Sequence, residues 1–208
     1  MQLRLQAIIP ETADIRSFIF VPETAITWQP GQSIRLELPV GYDLHERRFT
    51  IASAPEEGVI RITTRRGDSL FKKALWSLPL GTIVAAFSIE GTFVWRPATH
   101  TFLAAGMGIT PFRAMLIHQS IPETTITLFH AAHEGEHLFS ADFTALQATH
   151  SNFSYRQVSR HLTAEDLPTL EGLFYIAGPR KMVQELATAL QAQVINERAI
   201  IRDIFTGY

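Results

Sequence analysis

The hydrophobic rhythm of this chain changes once, near residue 97, and that change constrains its fold more than any other feature of the 208 residues. Before it, apolar runs or alternations near 2–9, 14–21, 32–38, 47–52, 58–64 and 81–87 are parted by Pro22, Pro30-Gly31, Pro39, Gly41, Pro55, Gly58 and Gly81. Short strands separated by turn residues predict a small antiparallel β-barrel. One helix interrupts them, with Leu70, Phe71, Ala74, Leu75 and Leu78 at helical spacing after Gly67-Asp68-Ser69. After Arg96-Pro97-Ala98 the pattern alternates: strands at 101–105, 125–131, 153–158, 173–177 and 199–205, helices at 111–118, 141–148 and 180–191. That predicts an α/β domain with a mostly parallel sheet and a ligand crevice beyond the strand carboxyl ends. The expected domains are residues 1–97 and 98–208.

Composition narrows the partners. The chain is 46% hydrophobic and 18% charged with a net charge of −2, a compact globular balance without the basic field that nucleic acid requires. It contains no cysteine, so a disulfide, an iron–sulfur cluster and a catalytic thiol are all excluded from its own side chains, and a cytoplasmic setting is expected. Met1-Gln2-Leu3-Arg4-Leu5-Gln6 alternates as a first strand, and no apolar run is long enough for a membrane span.

In the first half, Arg47-Arg48-Phe49-Thr50 places a cation and an aromatic two residues apart, on one face of a strand. An arginine fork suits a phosphate and the ring suits a flat ligand, while Thr50 offers a hydroxyl or amide to a ring nitrogen. A surface arginine ahead of a buried strand has the same spelling. Ser69 is a candidate N-cap, and amides at a helix start favour anions, although an isolated Gly-x-Ser is usually only a capped helix.

In the second half, Phe102-Leu103-Ala104-Ala105 runs into Gly106-Met107-Gly108-Ile109-Thr110-Pro111. The glycines permit a tight turn and close backbone approach, Thr110 is placed to cap the helix, and Pro111 suits its first turn. Gly178-Pro179 marks a second strand-to-helix turn. Ser159-Arg160 follows the third strand of this half, where an arginine would pair with a phosphate or simply stay solvated.

Taken in order, these strings resemble the ferredoxin–NADP reductase superfamily over nearly the whole chain. Arg47-Arg48-Phe49-Thr50 with Ser53 is similar to that family's Arg-x-Tyr-Ser strand, with Phe for Tyr and Thr for Ser. Phe102–Phe112 is similar to its Ala-Gly-Gly-x-Gly-Ile-Thr-Pro signature, with Ala105 for a frequent glycine. Phe174–Val183 is similar to its Cys-Gly-Pro-x-x-Met-Val element, with Ala177 in place of the cysteine.

The resemblance implies a FAD-binding barrel and an NAD(P)-binding α/β domain. Arg47 would bind the flavin pyrophosphate, with Phe49 against the flavin and Thr50 near its N5, the hydride acceptor. Ser53, the backbone around Ile62 and Thr64, and the Gly67–Ser69 turn complete that site. Gly106, Gly108, Thr110, Gly178 and Pro179 would receive the nicotinamide nucleotide, with Ser159 and Arg160 on a 2′-phosphate, which favours NADPH over NADH. Tyr208, with Phe205 as its substitute, would stack on the flavin where nicotinamide enters; Thr50, Thr110 and Tyr208 are the expected catalytic residues.

The implied activity is oxidation of NAD(P)H by flavin, with electrons passed to a separate acceptor: ferredoxin or flavodoxin, an oxygenase component, free flavin or a quinone. Two alternatives remain, a flavin reductase that uses flavin as substrate and a non-catalytic module that keeps the fold. A monomer or weak oligomer is expected. His130, His133 and His137 have the residue types for zinc but fall across a strand end and a loop, so no metal is expected.

Overall fold

The computed structural model describes residues 1–40, 43–96, 98–118, 124–133, 136–167 and 172–205. Internal contacts divide the chain between Val94 and Trp95. The first unit is a six-stranded antiparallel sheet in the order β4-β3-β6-β1-β2-β5. Its strands are β1 (Gln2–Pro10), β2 (Ile15–Pro22), β3 (Ser33–Val40), β4 (Asp43–Thr50), β5 (Ile60–Arg65) and β6 (Ile83–Glu90). Alternation drives the pleat: Leu3 and Leu5 of β1, Phe18 and Phe20 of β2, Ile34, Leu36 and Leu38 of β3, and Ile60 and Ile62 of β5 all face one buried core. Helix α1 (Leu70–Trp76) adds Phe71 and Leu75 to that core.

β4 begins four residues earlier than the apolar pattern indicates. Asp43–Arg48 is polar apart from Leu44 and mostly exposed, yet it pairs with β3 from Val40↔Asp43 to Ser33↔Thr50. An edge strand wet on both faces carries no hydrophobic signal, and its partner's register sets its length.

The two outer strands, β4 and β5, come together at a narrow seam. The Ala52 amide donates to the Arg61 carbonyl at 2.8 Å, and the Arg61 amide donates to Ser53 Oγ at 3.0 Å. Arg61 therefore turns its main chain away from β2, whereas Arg66 donates toward β2 at the Asp14 carbonyl. Antiparallel alternation then assigns the amides and carbonyls of Ile62 and Thr64 to the β2 ladder and those of Thr63 to the outer edge.

The second unit is a five-stranded parallel sheet in the order β11-β10-β7-β8-β9. Its strands are β7 (His100–Ala105), β8 (Ile126–Ala131), β9 (Phe153–Val158), β10 (Leu173–Pro179) and β11 (Ile200–Phe205), interleaved with α2 (Thr110–His118), α3 (Ser140–Thr149) and α4 (Arg180–Ala192). α4 lays Met182, Val183, Leu186, Ala187 and Leu190 onto Phe174, Ile176 and Ile200, the i, i+3, i+4 stripe that the sequence shows. From β7 the order runs outward to β8 and β9, then returns to β10 on the other side. The turns after β7 and β10 thus flank the point where strand order reverses, the usual ligand crevice of such sheets. Among the described residues, no helix is long and apolar enough to cross a membrane.

Candidate functional site

In the first unit the structure gathers cations around the Gly67 turn. Arg47 lies on β4, exposed, its Nη1 donating to the Glu46 carbonyl at 3.2 Å, and no carboxylate among the described residues pairs with it. Lys72, in the first turn of α1, folds over Gly67, where an added Cβ would lie 2.8 Å from its Cδ. Burial lowers the Lys72 ammonium from the usual lysine value, and the charges of Arg65 and Arg47 lower it further. Three cations thus act on one another, and Arg65 is also paired with Asp14. Mutual repulsion of this kind is relieved when an anion arrives.

Beside them a cavity of about 590 Å³ is lined by Arg66, Gly67, Lys72, Lys73 and Trp76, among others. It combines positive charge with an aromatic wall. Ser69 caps α1 as expected, its Oγ accepting from the Lys72 amide at 3.3 Å. Phe49 is half-buried with its ring 5.8 Å from Phe71, and Thr50 ends β4, half-buried. These residues fit a phosphorylated, flat cofactor such as FAD: cations for phosphate, an aromatic platform, and a capped turn.

Three residues expected in this site have groups engaged within the fold. Ser53 is fully buried; its Oγ donates to the Val59 carbonyl at 2.6 Å and accepts from Arg61, while Trp28 donates to its carbonyl. Ile62 is fully buried in the core with its main chain in the ladder, and Thr64 is likewise buried with its main chain toward β2. Among the described residues, the outward main-chain edge belongs to Thr63, one residue between them. Sequence reasoning covered Thr63 within the strand 62–64 without singling it out, and it did not name Arg65. The basic doublet Arg65-Arg66 directly before Gly67 was a legible signal; the outward parity of Thr63 was not.

In the second unit, Gly106 and Gly108 have different reasons to be glycine. Gly106 takes φ +51° with open space where a Cβ would point, so it supplies a left-handed turn. Gly108 is buried, and a Cβ there would lie 2.1 Å from the Ala177 carbonyl oxygen; it lets the turn press on the end of β10. Gly178, φ +151°, sits in the same contact, where a Cβ would meet Met182 Cε at 2.9 Å. The structure therefore brings Gly106, Gly108, Thr110, Gly178 and Pro179 to the carboxyl ends of β7 and β10.

Thr110 does not cap α2 as its position suggests. A one-turn 3-10 helix, Gly106–Ile109, leads straight into α2, and the Thr110 hydroxyl donates back to the Met107 carbonyl at 3.0 Å. Ala177 is fully buried, so no polar side chain occupies the cysteine position of the family pattern.

At the end of β8, His130 is buried beside the Gly106 main chain, its ring 5.2 Å from that of His137. Burial, reinforced by His137, lowers it to about 3, so its imidazole is neutral at physiological pH. His133 is exposed, and no group of metal-ligating side chains forms among the described residues. Ser159 and Arg160 follow β9, both exposed, and Arg160 is paired with Asp166. Phe205 closes β11 opposite Pro179. Tyr208 lies outside the described residues.

Comparison with known proteins matches residues 102–188 to the family model of the oxidoreductase NAD-binding domain. The flavohemoprotein of Oceanobacillus iheyensis is 22% identical over 95% of this chain and 57% of its own length. The ferredoxin reductase component of the 3-ketosteroid-9-alpha-monooxygenase of Mycolicibacterium smegmatis is 28% identical over 86% of this chain and 55% of its own. The chain thus spans little more than half the length of these curated relatives. Among solved structures, the flavohem-like FAD/NAD binding domain of nitric oxide dioxygenase from Vibrio cholerae O1 biovar El Tor superposes with a TM-score of 0.88 at 22% identity, covering 98% of both chains.

Proposed function

We propose that this chain, which belongs to the ferredoxin–NADP reductase superfamily, is a FAD-dependent oxidoreductase that draws electrons from NAD(P)H and passes them to a separate acceptor. Residues 1–97 would hold FAD and residues 98–208 the nicotinamide nucleotide. The observation that carries this reading is the gathering of Arg47, Arg65 and Lys72 at the Gly67 turn, an anion site in a unit otherwise built as a closed core.

FAD held there would supply the hydride-accepting and electron-releasing chemistry. Within the chain, Arg47, Arg65 and Lys72 would hold the pyrophosphate, Phe49 would lie against the ring system, and Thr50 and the outward main chain of Thr63 would bond its polar edge. Gly106 and the turn that follows would admit the nicotinamide nucleotide at the reversal of strand order. With Ala177 in the place of a thiol, no side chain there exchanges protons, and the residues act by positioning and by keeping water out. Thr110 would contribute its remaining acceptor capacity and Tyr208 the ring that covers the flavin.

A ferredoxin, a flavodoxin or an oxygenase component fits as acceptor, in line with what the relatives' names describe for those proteins. Anaerobic titration tests the reading. The purified chain loaded with FAD should lose its visible flavin absorbance on addition of NADH or NADPH. If the protein oxidises NAD(P)H only in the presence of excess free flavin, it is a flavin reductase; if neither occurs, the catalytic reading is wrong.

A further inference from the structure

The loop after β9 carries a device that the Ser159-Arg160 pair does not announce. Arg160 Nη1 donates to Asp166 Oδ2 at 2.8 Å and Nη2 to Asp166 Oδ1 at 2.5 Å, a two-pronged pair that occupies one flat edge of the guanidinium. Nη1 donates also to the His161 carbonyl at 2.9 Å. The two ends of the pair are unequal. The Arg160 side chain is 61% exposed and that of Asp166 only 11%. The carboxylate is anchored further by Thr163, whose amide at 2.8 Å and hydroxyl at 3.2 Å both donate to Oδ2, closing the one-turn 3-10 helix Ala164–Asp166. Asp166 is the fixed post and Arg160 is tied to it.

We infer that Asp166 sets dinucleotide choice by withholding Arg160 from a ribose 2′-phosphate, so that the chain takes NADH in preference to NADPH. This rests on the nicotinamide-nucleotide reading above and adds the residue that decides between the two donors. Asp166 and the His161 carbonyl take three of the five guanidinium donors, and a 2′-phosphate reaching the remaining Nε edge would approach the Asp166 carboxylate beside it. Glu165 adds a second negative charge that acts on Arg160. With one cation against two carboxylates, the loop repels a dianion. A ribose bearing a plain 2′-hydroxyl meets no such repulsion, because it brings no charge. Specificity here comes from a repulsive element already in place.

The test measures NAD⁺ and NADP⁺ binding to the full chain by titration calorimetry. Wild type is expected to bind NAD⁺ at least as tightly as NADP⁺. Asp166→Asn keeps an oxygen for Thr163 but removes the charge. It should tighten NADP⁺ relative to NAD⁺ by about tenfold, the worth of one charge-assisted hydrogen bond. Adding Arg160→Gln to that variant should abolish the gain. Arg160→Gln alone should shift the ratio by less than about threefold, since the cation is already engaged.

A wild type that prefers NADP⁺ and loses that preference in Arg160→Gln overturns the inference, as does an Asp166→Asn ratio equal to wild type. If Asp166→Asn shows no cooperative thermal transition, Arg160→Gln alone decides by the same criterion. Failure of the wild type to bind either dinucleotide defeats the nucleotide reading itself, an outcome distinct from an unchanged ratio.

Discussion

The two units differ in how their proposed phosphate-facing turns are built. The first assembles charge: burial, and then the charges of Arg65 and Arg47, lower the affinity of Lys72 for its proton. The second prepares shape. Around its Gly106–Thr110 turn the side chains are small or turned inward, and the nearest titratable ring, His130, is held neutral by burial. Charge recognition tolerates some slack, because Coulomb attraction falls off gradually, whereas a turn packed against a strand end does not. The first unit should therefore lose affinity when altered, and the second should lose structure.

Gly108→Ala breaks the comparison most severely if it holds. Its Cβ would fall 2.1 Å from the Ala177 carbonyl, a main-chain clash that no rotamer relieves. A loss of about 3 kcal/mol in urea denaturation is expected. A variant of wild-type stability would show that the turn is not packed as described.

Arg47→Gln and Lys72→Gln should act on affinity alone. Each is expected to weaken FAD binding by about 1.5 to 3 kcal/mol in a fluorescence titration, with melting of the FAD-free protein little changed.

Acid should find the second unit first. His130 has its pKa lowered to about 3 and His100, bonded through Nε2 to the Arg96 carbonyl, to about 4. For groups depressed in the folded state the stability is complete above the unfolded value, roughly 6.5, and is lost as pH falls toward the folded values. His45, the sole histidine before residue 95, is only half-buried. Denaturation between about pH 7 and 5 should thus show a slope that His130→Gln reduces by up to about 1.4 kcal/mol per pH unit.

Smallest is Gly106→Ala, which meets no atom within 4 Å and bears only the left-handed φ of +51°. A loss of about 1 kcal/mol is expected. A cost equal to that of Gly108→Ala would erase the distinction drawn between the two glycines.

Much of this was legible in the sequence, for physical reasons that differ by region. The inner strands β7, β8 and β10 are largely buried and appear as apolar runs, and the partly exposed edge strand β9 also lies where its residues indicate, at Phe153–Val158. The start of β4 was hidden because an exposed edge strand can be polar throughout. Ser53, Ile62 and Thr64 have the residue types of a ligand site, and the direction their groups point, a property of pairing and burial, was not legible. Arg160 was legible as a cation. Its partner six residues on was not, because nothing in the spacing says that Thr163 pins Asp166 in place.

The seam of the first sheet has a consequence for inheritance. Past the Ala52–Arg61 bond, recognition at Thr63 would be written in an amide and a carbonyl that every residue possesses. The Thr63 hydroxyl, bonded to Ser17 Oγ at 2.7 Å, would be kept for the fold, while the recognition written in its main chain would leave no mark of its own on the residue type. Only proline, which lacks the hydrogen, would silence the position.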